Sequence, residues 1–174
     1  MISRASKGVG WRLRGLRRSW MCRRGMSSEL PRKGWPVQMK DEVQWGDQDA
    51  YMHVNNTQYY RWWESAHIKY LRKLGIMMIA NAKDPSGAII ARSECNFKLP
   101  VEYPDTVTVC CRCSRIGNTS LDIEYLLQNG KGEECATGAA TLVLFDYIEE
   151  KKYVIDEKMK EMILSLETEA EPSK

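Results

Sequence analysis

The sequence predicts an α+β domain in which a curved antiparallel sheet wraps around one long central helix. Three observations carry this. Residues 56–74 contain neither Gly nor Pro and read as one helical run after a single strand-like stretch. Four strand-like runs separated by turn signals come next. A hydrophobic fraction of 43% over 174 residues suits one core plus tails.

Residues 37–45, "VQMKDEVQW", alternate loosely and predict the first strand; residues 46–55 form a polar turn segment. In the helical run, Tyr59, Trp62, Trp63, Ala66, Tyr70, Leu71 and Leu74 recur at spacings of three and four. That apolar face is too wide for a surface helix, so the helix is expected to be wrapped. Asn55 or Asn56 suits its N-cap and Gly75 its stop. The later runs are "SGAIIARSECNFKL", "DTVTVCCRCSRIG", "SLDIEYLLQNG" and "ECATGAATLVLFDY". Leu99-Pro100, Gly117-Asn118 and Asn129-Gly130 separate them, and the last is a hairpin marker. Short connections demand antiparallel neighbours; only the opening strand–helix–strand unit could be parallel. A short helix is expected over residues 156–166, with Met159, Met162, Ile163 and Leu166 on one face. The domain is drawn as residues 37–167, after a Pro- and Gly-containing linker over 29–36 and before a disordered tail at 168–174.

Charge is unevenly spread. Eight of the 26 cations (Arg4, Lys7, Arg12, Arg14, Arg17, Arg18, Arg23 and Arg24) lie in residues 1–28, which hold no acid, so 18 cations face 23 acids in the remainder. The body is therefore mildly acidic and carries no nucleic-acid footprint. Val9, Leu13, Leu16 and Trp20 share one helical face among those arginines. An Arg-rich, acid-free, amphipathic start is the pattern of a mitochondrial presequence, cleaved near residues 25–28, which predicts the matrix. The competing reading is a disordered basic tail. No apolar run approaches the roughly 18 residues of a membrane span, so no stable membrane insertion is expected.

Six cysteines are present, with no C-x-x-C spacing, and two histidines cannot complete a conventional zinc set. The cluster Cys110, Cys111 and Cys113 falls in an alternating run that puts Val107, Val109, Cys111 and Cys113 on one face. Core thiols are the favoured reading, and no metal is expected.

The stretch that exceeds the needs of a fold is "WGDQDAYMHVNN", followed by an aromatic helix with "WWESAH". A helix N-terminus offers free N–H groups and partial positive charge to a developing oxyanion. A thiolate leaving group, whose parent thiol has a pKa of about 8.5, needs no strong acid. What remains is one carboxylate near the carbonyl carbon, acting on water or attacking directly. Asp49 stands just before such a helix start.

Together with "ARSECNFKLPVEYPDTV" and "SRIGNTSLDIEY", these motifs resemble the hotdog-fold acyl-CoA thioesterases of the 4-hydroxybenzoyl-CoA thioesterase-like group, over about residues 37–147. The resemblance implies a hotdog fold, a homodimer or homotetramer with sites at subunit interfaces, an acyl-CoA substrate and no metal or redox cofactor. It makes Asp49 the catalytic acid and the Asn56 backbone N–H the carbonyl-polarising donor. His53 either orients water or substrate or bonds within the turn. Asp47 is a structural neighbour that shares a side with Asp49, where each could raise the other's pKa. Asn55 is a cap. Glu64 is the position another branch of hotdog thioesterases uses, although pairing with Arg61 or Lys69 is the favoured reading. Arg92, Lys98, Arg112 and Arg115 lie on or beside strands; Lys98, Arg115 and Ser120, the latter two in "RIGNTS", are the candidates for the coenzyme A end. Two positions depart from the family pattern: Met52 stands where Gly is usual before the motif His, and His67 where Arg is usual. The expected activity is hydrolysis of an acyl-CoA to free acid and coenzyme A. The alternative is a non-catalytic hotdog protein that binds an acyl group or a mitochondrial partner complex.

Overall fold

The computed structural model describes residues 34–76 and 86–169. The expected presequence, the linker up to residue 33 and the tail from residue 170 lie outside the described residues. The chain runs β1 (Val37–Glu42), a 3-10 turn (Trp45–Asp47), α1 (Asn56–Lys73), β2 (Ser86–Phe97), β3 (Thr106–Ile116), β4 (Ser120–Gln128), β5 (Glu134–Asp146), β6 (Lys151–Lys152) and α2 (Glu157–Glu169).

The strands form one sheet in the order β1-β3-β4-β5-β2, with β6 added to β5. Every pairing is antiparallel. The opening unit is not a parallel pair, because α1 carries the chain from one edge of the sheet to the other. Each strand stops one to three residues short of its sequence-based end, where Pro100, Gly117 and Gly130 lead into turns. The first ends at Glu42 because the backbone turns into the 3-10 segment that precedes the acidic loop.

The alternation in β3 and β4 is real: Val107, Val109, Cys111, Cys113, Leu121, Ile123, Tyr125 and Leu127 are all at most 1% exposed. This face packs on α1, which buries Tyr59, Trp62, Trp63, Ala66, His67, Tyr70 and Leu71. Burial pushes the Cys113 thiol up to about 12 and that of Cys111 well above its ordinary value, as expected of core thiols. The Trp62 indole N–H donates to Asp41 Oδ2 at 3.0 Å and ties α1 to β1. The Trp63 ring stacks on Tyr125 at 4.9 Å and 13°. It lies so close to β5 that a Cβ at Gly138 would meet Trp63 Nε1 at 2.7 Å and the Glu94 carbonyl at 2.8 Å.

Asn55 caps α1, its side chain accepting from the Thr57 N–H at 3.0 Å and the Thr57 hydroxyl at 2.8 Å. Gly75 ends it with φ +73°, the left-handed stop that glycine permits. The described end of the linker is tied down: Lys73 Nζ donates to the Pro36 carbonyl at 2.7 Å, and the Arg112 guanidinium lies 4.4 Å over the Trp35 ring.

The last helix differs from expectation. It runs to Glu169, past the proposed domain end, and Glu167 is only 2% exposed. Glu167 Oε1 accepts from the Tyr70 hydroxyl at 2.6 Å and from the Cys113 N–H at 2.8 Å. These two donors make a charged residue near the end of α2 part of the core. Among the described residues, no helix is long and apolar enough to cross a membrane.

Candidate active site

The acidic segment folds as two small closures. Asp47 Oδ2 accepts from the Gln44 N–H at 2.8 Å, and its carbonyl from the Asn55 N–H at 2.8 Å. Gln48 and Val54 then pair in an antiparallel bridge. Within it the Asp49 N–H donates to the His53 carbonyl at 2.9 Å, and the Met52 N–H to the Asp49 carbonyl at 3.1 Å. The Asp49 side chain joins in, Oδ1 accepting from the Tyr51 N–H at 2.8 Å. Asp47 and Asp49 are thus each held by a different backbone donor. Met52 takes φ +64°, the left-handed region that glycine fills without cost, which explains why glycine suits this position.

This hairpin returns the chain to the start of α1 and opens a pocket of about 330 Å³. Asp49, His53, Val54, Asn56 and Tyr59 line one side, and Phe97, Lys98, Leu99 and Pro100 the other. Three of the sequence-predicted site residues, Asp49, His53 and Asn56, therefore come together. Asn56 is the first helical residue, and its N–H has no partner among the described residues, as the geometry of a helix start dictates. Tyr59 forms the floor, its ring edge-on to Phe97 at 4.9 Å. Burial first, then the nearby thiols of Cys135 and Cys95, push the Tyr59 hydroxyl up to about 12, so it stays protonated at neutral pH. A larger concavity of about 960 Å³ lies between Lys40, Thr108 and Asn129, but it contains none of these groups and no helix start.

The cation candidates are all engaged by carboxylates. Lys98 lines the pocket while its Nζ pairs with Glu134. Arg115 Nε lies 2.5 Å from Asp122 Oδ2, and Asp122 Oδ1 accepts from the Thr141 hydroxyl at 2.9 Å. Arg92 pairs with Glu94 at 2.5 Å and Arg112 with Glu124 at 2.7 Å. Arg115 and Ser120 do not reach the pocket within one chain. Ser120 pairs with Val143, while Leu127, level with Phe97 across the sheet, pairs with Ala136. Seven residues of strand separate the two levels, roughly 23 Å. The cause is register, which turns sequence neighbours of a motif into opposite ends of a sheet.

Glu64 is exposed on α1 and outside the pocket lining, and the expected pairing with Arg61 or Lys69 is absent among the described residues. His67, the other departure, is 4% exposed, with Nδ1 2.9 Å from the Tyr125 hydroxyl. Phe97 and Glu102 went unmarked in the sequence. Phe97 lies near the end of a strand-like run and Glu102 sits between two prolines, and nothing local signals that both face the acidic loop. Glu102 approaches His53, its Oε1 3.5 Å from Nε2.

A curved antiparallel sheet on one helix, with an acid turn at the helix start, defines the hotdog-fold thioesterase class. Residues 43–163 match the Thioesterase-like superfamily, and the chain belongs to it. A thioesterase from Thermus thermophilus, solved with coenzyme A and Zn, is 28% identical, covers 78% of this chain and 97% of its own, and superposes with a TM-score of 0.67. A putative thioesterase from Pseudomonas aeruginosa is 27% identical over 74% of this chain and 98% of its own, with a TM-score of 0.66. The uncharacterised protein YsmA of Bacillus subtilis (strain 168) is 26% identical over 66% of this chain and 79% of its own length.

Proposed function

We propose that the protein is an acyl-CoA thioesterase that hydrolyses its substrate to a free acid and coenzyme A. The observation that carries this reading is that Asp49 and the Asn56 N–H, which has no partner among the described residues, line one pocket. The thioester oxygen sits at the Asn56 N–H, where the positive end of α1 favours the charge that develops as the carbonyl is attacked. Asp49 then takes a proton from water as the water oxygen bonds to the carbonyl carbon, or attacks that carbon itself. Collapse of the adduct breaks the C–S bond and releases the thiolate; on the second route water then opens the mixed anhydride with Asp49, which yields the free acid and restores the carboxylate. The bond from the Tyr51 N–H fixes one carboxylate oxygen of Asp49 and so orients the other. Among the described residues no ion pair involves Asp49, as a reacting carboxylate requires.

The edge strand β2 supports a homodimer. It is 12 residues long, among the described residues pairs only with β5, and exposes Ile89, Ile90 and Phe97 by 41%, 47% and 52%. Two-fold antiparallel pairing of β2 with its copy brings the Ile89 end of one chain beside the Phe97 end of the other. Ile89, Val143 and Ser120 lie in line across the sheet, so the partner's Ser120 and Arg115 are carried toward the pocket. A coenzyme A end bound there spans two subunits, and a homotetramer follows from pairing two such dimers. The basic leader, residues 1–28, is proposed as the address for the mitochondrial matrix, which a reporter fusion tests.

The test of function is thiol release by the purified chain across short, long and aromatic acyl-CoAs, beside Asp49→Asn. Turnover that falls by two orders of magnitude or more in the folded variant is expected of a lost base or nucleophile. Turnover indifferent to Asp49 overturns the assignment.

A further inference from the structure

The wall facing the acidic hairpin is residues 98–105; two bonds clip it to the hairpin and a third to the segment just after β1. The Val54 N–H donates to the Val101 carbonyl at 2.8 Å, the Tyr103 N–H to Gln48 Oε1 at 3.3 Å, and the Val43 N–H to the Asp105 carbonyl at 2.9 Å. Val54 and Val101 are buried at 5% and 1%, so this clip is anchored in the core. His53 and Glu102 are the residues next to the Val54–Val101 bond, one on each segment. Their approach, 3.5 Å between Nε2 and Oε1, follows from that backbone pairing rather than from two free side chains meeting at a surface. The backbone removes much of the entropy that usually cancels an exposed side-chain contact, although side-chain exposures of 49% and 65% keep the two groups hydrated in a single chain.

We propose that Glu102 is a positioning residue for the thioesterase reaction. It holds the His53 ring at the pocket wall with Nε2 turned to the carboxylate, so that in the neutral ring Nε2 carries the proton and Nδ1 is the acceptor. His53 lines the pocket with Asp49 and Asn56, so Nδ1 serves to orient the attacking water while Asp49 takes the proton. Orientation of the reacting atoms by such a group is a recognised part of the barrier lowering in enzymes. The inference rests on the thioesterase reading above, and it adds a residue that the acidic motif does not contain.

The experiment pairs kinetics with a measurement that needs no activity. Three-bond couplings to the His53 Cγ in the full chain report its χ1 rotamer, and with only two histidines in the sequence a His53→Gln variant assigns the signals. One rotamer is expected in the wild type and rotamer averaging in Glu102→Leu, with Glu102→Gln, which keeps an acceptor oxygen, in between. On the best acyl-CoA, Glu102→Leu is expected to lower kcat about tenfold with KM nearly unchanged, a fraction of what a positioned proton-handling group contributes. In a His53→Gln background the same change is expected to have no further effect. An unchanged kcat in an active enzyme, an equal loss in both backgrounds, or an unaltered His53 rotamer overturns the proposal and leaves the thioesterase reading standing. A wild type without turnover on any thioester overturns that reading and the proposal with it, whatever the rotamer shows.

Discussion

His67 and Tyr125 form a buried polar pair between α1 and β4, with His67 Nδ1 2.9 Å from the Tyr125 hydroxyl. Burial pulls the His67 pKa down to about 4, and the carbonyl of Trp63 opposes this only partly. The imidazole is therefore neutral in the folded protein at physiological pH. The side-chain group it meets is the neutral Tyr125 hydroxyl, not a carboxylate.

That pair gives a pH dependence. Above about 6.5 the group is neutral in both folded and unfolded chains and its contribution is fully present. Below that value the unfolded chain binds a proton and the folded one does not, so stability falls, levelling off beneath the folded value of about 4. The loss amounts to about 3 kcal/mol across the window. Urea unfolding of wild type and His67→Gln at pH 7 and pH 4.5 checks it: the variant is expected to lack most of this slope.

Glu167 runs in the opposite sense. Burial is the largest influence on it and raises its pKa, against the bonds from Tyr70 and Cys113. An acid whose folded pKa is raised loses stability as pH rises through the interval from its ordinary value to the folded one. Glu167→Gln keeps the oxygen that accepts from Tyr70 and Cys113 and removes the charge. It is expected to be more stable than the wild type at pH 7 and indistinguishable from it at pH 4. Glu167→Ala leaves both donors unmatched and is expected to lose about 3 kcal/mol. Thermal melts at the two pH values decide between these outcomes.

Met52 holds φ +64° in the acidic hairpin, a conformation that costs a side-chain-bearing residue about 1 kcal/mol or more. Met52→Gly is expected to relieve this and to gain up to about 1 kcal/mol, less the greater freedom of glycine in the unfolded chain. Met52 is 56% exposed, so little packing is lost. Denaturant midpoints measure the change, and a variant that unfolds earlier would show that the methionine side chain, not the turn, decides the position.

Gly138→Ala tests the approach of α1 to β5. The added Cβ would lie 2.7 Å from Trp63 Nε1 and 2.8 Å from the Glu94 carbonyl, so the indole has to move off Tyr125. A loss of about 2 kcal/mol is expected, with a change in near-UV circular dichroism as the stacked pair separates. Wild-type stability in this variant would mean that the helix has room to slide.

What the sequence alone determined here is local. The span of α1 followed from the spacing of its aromatics, its Asn55 cap and its Gly75 stop, all of which act within a turn or two of chain. The inward face of β3 and β4 followed from alternation, because a strand turns every second side chain the same way. The placing of Asp49 before a helix start was visible for the same reason. Only the tertiary structure decided which distant residues meet. β1 and β2 ended at opposite edges, Arg115 and Ser120 fell at the far end of the sheet from Asp49, and Glu167, the last residue of the expected domain, turned inward to bond Tyr70 and Cys113. Glu102 came beside His53 through a backbone clip 47 residues apart in the chain, from Val54 to Val101. Strand order and register are set by the joint burial of all the apolar faces, and no short stretch of sequence carries that information.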